Sequence, residues 1–157
     1  MLHFAYGSNM DLRMMKLRCP GAGVVGGAVL RDHRFIITKD GYASVAAARG
    51  VMVYGLLWRL TARDLAALNA YENIEAGLYH AASLPVHAGG GTVRALVYVG
   101  RSDVPGRPRL GYMELVAAAA RDAGLPADYV ATLERIWDMP SRSAVAPNGE
   151  SYGHRRA

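Results

Sequence analysis

The sequence has few of the features that define disulfide-rich, metal-binding or membrane proteins. Its 157 residues contain one cysteine, Cys19, so an internal disulfide framework is excluded and the paired-cysteine spacing of metal sites is missing. No apolar run approaches the length of a membrane span, and Tyr6-Gly7 interrupts the N-terminus before an apolar signal segment can form. We therefore expect a cytoplasmic protein that does not associate with membranes.

Lysine is also scarce, because only Lys16 and Lys39 among the 18 cationic residues are lysines. The formal net charge of +5 can indicate nucleic-acid binding, but the arginines are scattered and form one tight pair, Arg155-Arg156, near the end of the chain. A basic chain can equally attract small acidic substrates over a long range. We expect a small-molecule substrate and no nucleic-acid partner.

Several catalytic motifs are missing too. The chain has no Gly-x-Ser-x-Gly nucleophile elbow, and its five histidines show no metal-binding pattern. The glycines between residues 21 and 27 do not separate a strand from a helix, as a dinucleotide-binding loop requires. Cys19 follows a predicted helix end, where a thiolate is disfavoured, so we expect it to pack in the core. These patterns argue against metal catalysis and against a dinucleotide-binding loop.

The residues that are present indicate a mixed α+β protein. The chain is 52% hydrophobic and 20% charged, which is typical of a globular protein. Strands are predicted over 2–6, within 24–39, over 51–60 and as a hairpin across Gly89-Gly90-Gly91. Helices are predicted over 10–18, after a capping box at Thr61, over 109–123 and over 126–137. The segment 41–50 is compatible with either a strand or a loop.

Strands come first and helices mostly last in this order, with several hairpin-like connections. The order predicts a small mixed β-barrel or strongly curved sheet flanked by helices. We expect a single domain over 1–137 and a C-terminal surface tail over 138–157, where no hydrophobic period is visible.

The stretch HFAYGSNM, residues 3–10, is the first candidate for a binding site. It predicts a strand that turns into a helix from Met10, with Ser8 or Asn9 as the N-cap. Gly7 has no Cβ, so a ligand can approach the backbone, and free amides over 7–10 at a helix N-terminus would favour an anion. The alternative is an ordinary capped turn without a ligand.

Glu72 is the second candidate, because its position is unusual for a surface carboxylate. In the helix that follows Thr61, Leu65 and Leu68 define the inward face, and Glu72 continues that series. An inward carboxylate tends to have a raised pKa and can exchange protons near neutral pH. Asp64, in contrast, is explained by capping. The alternative for Glu72 is a structural hydrogen bond to loop amides after the helix.

Three segments together resemble the γ-glutamylcyclotransferase family within the AIG2-like superfamily. They are FAYGSNM, VYGLLWRL leading into a helix, and LNAYENIEAGLY, and their order and spacing agree over about 2–136. The resemblance implies that the turn Gly7-Ser8-Asn9 holds a γ-glutamyl group through backbone amides. It further implies that Glu72 is the general acid/base and that Tyr79 lines the pocket. Tyr6 is either a substrate contact or a packing residue.

The reaction implied by the resemblance needs no metal or cofactor. The free α-amino group of a γ-glutamyl substrate attacks its own γ-carbonyl, closes 5-oxoproline and releases an amino acid or an amine. The alternative is a non-catalytic relative that binds a γ-glutamyl or amino-acid ligand. In either case the protein is expected to be a monomer or a homodimer.

The identity of the leaving group stays open in the sequence. Asn9 stands where the glutathione-specific branch typically has leucine, which places the chain outside that branch, while γ-glutamylamines and biosynthetic intermediates remain candidates. Variable loops around 39–50 and 101–110 are expected on the leaving-group side. Tyr112 and Tyr129 are equally compatible with core and ligand roles.

Overall fold

The computed structural model of the protein describes residues 1–138, and its centre is a closed five-stranded barrel. The strands are β1 (Leu2–Ala5), β2 (Gly23–Ile37), β3 (Ala43–Arg59), β4 (Tyr79–Ala88) and β5 (Gly91–Gly100). Their order around the barrel is β1-β3-β2-β4-β5. The barrel closes through a parallel contact between β1 and β5, whereas the other neighbouring strands are antiparallel. A mixed barrel was predicted, and this prediction is confirmed.

Strands β2 and β3 are longer than the sequence patterns predicted. The ambiguous segment 41–50 is mostly part of β3, which begins at Ala43 rather than near residue 51. The reason is burial, because Ala43, Ser44 and Val45 pack inside the molecule although alanine and serine carry little strand signal. The bend expected at Gly26-Gly27 is a register shift between Val24 and Gly26.

Strands β4 and β5 form the predicted hairpin. Ala88 pairs with Gly91, so the turn consists of two residues, Gly89 and Gly90, with φ of 58° and 78°. A two-residue turn that needs positive φ at both positions favours glycine strongly, which is why the sequence marked it so clearly.

Four α-helices flank the barrel within residues 1–138. They are α1 (Leu12–Arg18), α2 (Ala62–Tyr71), α3 (Tyr112–Asp122) and α4 (Ala127–Asp138). The capping box of α2 is formed as predicted by Thr61 and Asp64. The predicted surface tail, 138–157, lies outside the described residues except for Asp138, the last residue of α4. None of the helices in the described part of the chain combines the length and the apolar character needed to cross a membrane.

The start of α1 differs from the prediction. Residues Ser8–Met10 form a single 3₁₀ turn, and Asp11, not Ser8 or Asn9, caps the helix. The Asp11 carboxylate accepts hydrogen bonds from the amides of Arg13 and Met14, both at 2.9 Å. Asp11 therefore supplies the N-cap oxygen, and the side chains of Ser8 and Asn9 are not used to cap the helix.

The core is one cluster of buried side chains that come from both the strands and the helices. The strands contribute the fully buried side chains of Phe4, Val53 and Val97, and the helices contribute those of Leu68 and Leu133. Cys19 is 1% exposed and belongs to the same core, as predicted, and burial raises its pKa to about 11. A thiol in this state is a packing group and not a nucleophile.

Candidate active site

A cavity of about 190 Å³ opens at the end of the barrel where β1 ends and where β3 and β4 begin. All six residues predicted to form a site line this cavity, although they come from distant parts of the chain. They are Tyr6, Gly7, Ser8, Asn9, Glu72 and Tyr79. Their contact with a substrate stays a prediction, but the fold brings them around one space.

Glu72 is the C-cap residue of α2, and its carboxylate is half-buried at the cavity. Asn9 Nδ2 donates a hydrogen bond to Glu72 Oε1 at 2.7 Å. Burial raises the pKa of Glu72 to about 7, and the Asn9 hydrogen bond and the Arg18 charge oppose this rise. The partial negative charge at a helix C-terminus also disfavours an ionised carboxylate there. Glu72 is therefore poised to gain or lose a proton near neutral pH.

The alternative role for Glu72 was a hydrogen bond to amides of the following loop. Within the described residues, the hydrogen bond to its carboxylate comes instead from the Asn9 side chain, 63 positions earlier in the sequence. Asn9 was expected to matter through its backbone amide. The structure shows that its side-chain amide also makes a contact, the hydrogen bond to Glu72. Trp58 Nε1 donates to the Asn9 carbonyl oxygen at 3.0 Å and holds the turn in place.

The backbone of the turn offers fewer free amides than predicted. The Met10 amide donates to the Gly7 carbonyl at 3.0 Å, and the Asp11 amide donates to the Ser8 carbonyl at 3.1 Å. Since α1 begins at Leu12, the expectation of four free amides at a helix N-terminus is wrong. Gly7 still provides a close approach, because a Cβ there would lie 3.1 Å from the Tyr112 hydroxyl.

Buried tyrosines surround the carboxylate. Tyr79 donates to the Ala43 carbonyl at 2.7 Å, and the Ala43 amide donates to the Tyr112 hydroxyl at 3.2 Å. Tyr6 donates its hydroxyl to the Tyr98 carbonyl, so its polar atom has a structural partner. Burial raises the pKa of Tyr112 to about 12 and the pKa values of Tyr6 and Tyr79 above their ordinary value. The cavity wall is thus polar but uncharged around Glu72.

His3 also lines the cavity and is uncharged at neutral pH. Its Nδ1 lies 3.0 Å from the Leu96 carbonyl, which can only accept, so Nδ1 carries the ring proton. Burial lowers the pKa of His3 to about 4, and the contact with Leu96 opposes this change. Glu72 is therefore the cavity group that titrates close to neutral pH.

Sequence reasoning missed several lining tyrosines. Tyr42, Tyr71 and Tyr98 line the cavity, and so does Tyr112, which was left between core and ligand roles. Tyr129 packs against Tyr54 with ring centroids 5.0 Å apart and is not a lining residue. The available signal was composition, because nine tyrosines against two phenylalanines give the chain an unusual number of aromatic hydroxyl groups.

The two loops expected on the leaving-group side contribute differently. The first, 39–50, is a loop only up to Tyr42, because β3 begins at Ala43, and it supplies Tyr42 and Ala43 to the cavity wall. The second, 101–110, supplies no lining residue but supports the first. Arg109 lies 4.7 Å above the centre of the Tyr42 ring, and its Nε donates to the Asp40 carbonyl at 3.0 Å. The second loop thus orients a residue of the first.

The chain resembles proteins of known family along most of its length. A bovine γ-glutamylcyclotransferase is 27% identical over 148 residues, which cover 86% of this chain and 78% of the relative. The human γ-glutamylcyclotransferase is 26% identical with the same coverage. A solved structure described as a γ-glutamyl cyclotransferase superposes with a TM-score of 0.80 at 23% identity, covering 98% of this chain and 92% of the other.

The barrel and its helices therefore have the γ-glutamyl cyclotransferase-like fold. The model of the AIG2-like family matches residues 52–133, a segment that includes Glu72 and Tyr79. The chain belongs to the AIG2-like family.

Proposed function

We propose that the protein is a γ-glutamylcyclotransferase that converts a γ-glutamyl amino acid or γ-glutamylamine to 5-oxoproline and a free amino acid or amine. The observation that carries this proposal is the half-buried carboxylate of Glu72, with a pKa of about 7, beside a glycine-containing turn in a small cavity. The relatives named γ-glutamylcyclotransferase support the same activity.

The turn binds the γ-glutamyl group. Gly7 and Ser8 bring backbone into the cavity wall, and backbone amides can hold a carboxylate or stabilise an oxyanion. The bound substrate bends so that its α-nitrogen approaches its γ-carbonyl carbon. Because nucleophile and electrophile belong to one molecule, fixing this conformer removes much of the entropic barrier.

The chemistry requires proton transfer that Glu72 can supply. A bond forms between the α-nitrogen and the γ-carbon, and the bond from that carbon to the leaving nitrogen breaks. The attacking nitrogen begins as an ammonium and ends as a lactam N–H, while the leaving nitrogen ends as an ammonium, so two protons move between them. Glu72 starts as a carboxylate and carries the two protons one at a time, accepting each from the attacking nitrogen and passing it to the leaving nitrogen before it takes the next.

The test is an assay for 5-oxoproline with a panel of γ-glutamyl dipeptides and γ-glutamylamines. We expect the wild type to release 5-oxoproline from at least one class, and Glu72→Gln to lower kcat by about a hundredfold or more. Glu75→Gln is the matched control, since Glu75 is exposed three residues further on and should leave kcat unchanged.

Two results would contradict the proposal. Normal turnover by Glu72→Gln would remove the carboxylate from the mechanism. A wild type that binds γ-glutamyl compounds in calorimetry without releasing 5-oxoproline would favour the alternative, a ligand-binding relative without catalysis.

A further inference from the structure

A chain of polar contacts connects Glu72 to a cation outside the cavity. Arg18, the last residue of α1, donates from Nη1 to Asn9 Oδ1 at 2.7 Å, and Asn9 Nδ2 donates to Glu72 Oε1 at 2.7 Å. Arg18 is not among the residues that line the cavity. Any effect of Arg18 on the reaction must therefore be transmitted through the two lining residues that it contacts, Asn9 and Tyr71, or through its electric field.

The guanidinium is itself held in one position by Tyr71. Arg18 Nη2 donates to the Tyr71 hydroxyl at 2.7 Å, and Arg18 Cζ lies 3.6 Å from the centre of the Tyr71 ring. A planar guanidinium can make such a stacking contact and two directed hydrogen bonds at once, whereas the ammonium of a lysine cannot. Tyr71 is the last residue of α2, so it joins α1 to the end of the helix that carries Glu72.

These partners leave one orientation for the Asn9 amide. A guanidinium has only donors, and an ionised carboxylate has only acceptors. The amide oxygen must therefore face Arg18 and the amide nitrogen must face Glu72. A half-turn of the amide would place oxygen against carboxylate and N–H against guanidinium, which replaces two attractive contacts by two repulsive ones.

The orientation of Asn9 determines how the two oxygens of Glu72 are used. Oε1 accepts the Asn9 hydrogen bond, so protonation of the carboxyl group is favoured at Oε2. We propose that Arg18 is a positioning residue that, through Asn9, reserves Oε1 for a structural hydrogen bond and leaves Oε2 to exchange protons with the substrate. This inference rests on the proposed function, because the proton transfer that it describes belongs to that reaction.

The electrostatic surroundings of Glu72 give Arg18 a measurable effect. The groups that interact with this carboxylate from the barrel and α3 are the tyrosine hydroxyls of Tyr6, Tyr79, Tyr98 and Tyr112, which burial keeps neutral. Arg18 is the charged group that lowers the pKa of Glu72. Removing its charge should raise that pKa and shift the acidic limb of the pH–rate profile to higher pH.

The experiment compares Arg18→Met, Arg18→Lys and the matched control Arg13→Met, which removes a charge from an exposed position on the same helix. Rates are measured between pH 5 and pH 9, and the Glu72 carboxyl is titrated by NMR in protein with ¹³C-labelled glutamate, using Glu72→Gln for assignment. For Arg18→Met we expect the pKa from both measurements to rise by about 0.5 to 1 unit. We also expect kcat at pH 7 to fall about tenfold with little change in KM.

Arg18→Lys separates charge from geometry. It should restore the pKa of Glu72 but recover only part of kcat, since an ammonium cannot hold Asn9 and Tyr71 together. Arg13→Met should match the wild type in both measurements. If Arg18→Met does not fold, Arg18→Lys still decides the matter, because a wild-type kcat in that variant would overturn the positioning role.

The two proposals fail in distinguishable ways. If the wild type turns over and Arg18→Met shows an unshifted profile and an unshifted Glu72 titration, the inference about Arg18 is wrong while the function stands. If the wild type releases no 5-oxoproline, the proposed function fails, and the NMR titration alone then tests the coupling between Arg18 and Glu72. An unshifted Glu72 pKa in Arg18→Met would overturn this coupling, and a raised pKa would support it.

Discussion

Helix α2 carries a carboxylate at each end, Asp64 in its first turn and Glu72 at its C-cap, and the two experience opposite surroundings. Asp64 is 2% exposed, yet its carboxylate accepts from the Thr61 amide at 3.0 Å, the Thr61 hydroxyl at 2.7 Å and the Gly21 amide at 3.2 Å. Burial favours the neutral form of Asp64, but these donors outweigh it and hold its pKa below the ordinary value.

The pKa of Glu72 moves in the other direction. It lies at the negative end of the helix dipole and accepts one hydrogen bond from Asn9. Burial therefore prevails and raises its pKa to about 7. The comparison teaches that loss of solvent contact alone does not decide the state of a carboxylate, because the hydrogen-bond donors around it also count. The hydrogen bonds of Asp64 stabilise the fold, whereas within the described residues Glu72 accepts its hydrogen bond at Oε1 and leaves Oε2 available.

The largest expected difference between the two carboxylates is in catalysis. Asp64→Asn should leave kcat/KM within about threefold of the wild type, while Glu72→Gln loses the factor of about a hundred or more that a general acid/base supplies. Steady-state 5-oxoproline assays on both variants, at a temperature where circular dichroism shows both folded, check this. A folded Asp64→Asn that lost activity to the same extent would break the contrast.

The second difference is in the pH dependence of stability. The pKa of Glu72 rises from 4.5 to about 7 on folding, so its stabilising contribution is complete below pH 4.5 and is lost as pH rises through 7. At pH 8 the free energy of unfolding of Glu72→Gln should therefore exceed that of the wild type by on the order of 2 kcal/mol, which urea titration measures. This difference should close toward pH 4.5.

Asp64 has the opposite sign, because its pKa is lower in the folded protein than the ordinary 3.8. Its contribution is present above pH 3.8 and is lost as the pH falls below that value. Asp64→Asn should be less stable than the wild type at pH 7, by about 1 kcal/mol, and the difference should shrink in acid. Urea titrations at several pH values check the two signs, and a shift of both variants in the same direction would contradict them.

The smallest difference concerns two glycines, Gly21 beside the Asp64 carboxylate and Gly7 in the wall of the cavity that Glu72 lines. A Cβ on Gly21 would lie 2.9 Å from Asp64 Oδ2. This oxygen cannot move away easily, because it accepts hydrogen bonds from the amide and the hydroxyl of Thr61. Gly21→Ala should thus lower the free energy of unfolding by about 1 kcal/mol with KM unchanged. Gly7→Ala should instead raise KM about fivefold, because its Cβ enters the cavity near Tyr112. Equal effects of both variants on KM would contradict the separation of roles.

Some of these features were predictable because they depend on residues close in sequence. The capping box needs only Thr61 and a carboxylate three positions later, and the hairpin turn needs only Gly89 and Gly90. The inward direction of Glu72 followed from the helical period. The predicted N-cap of α1 was wrong by two residues or more, because Ser8, Asn9 and Asp11 can all serve as an N-cap and the local sequence does not choose between them.

Contacts between distant residues were not predictable in the same way. Nothing in the local pattern pairs Asn9 with Glu72, or Tyr79 with the Ala43 backbone, since each pair is joined only when the barrel closes. The length of β3 was also missed, because alanine and serine carry a weak strand preference and burial decided their conformation.

The sequence by itself determined which groups could act. It supplied a turn with a glycine, a carboxylate on the inward face of α2, and helix signals that depend on neighbours three or four residues apart. The tertiary structure alone decided how that carboxylate behaves, because its pKa depends on desolvation, on one amide donor and on the charge of Arg18 from a different helix. Solvent exclusion and long-range pairing are properties of the closed barrel and its helices, and no local segment contains them.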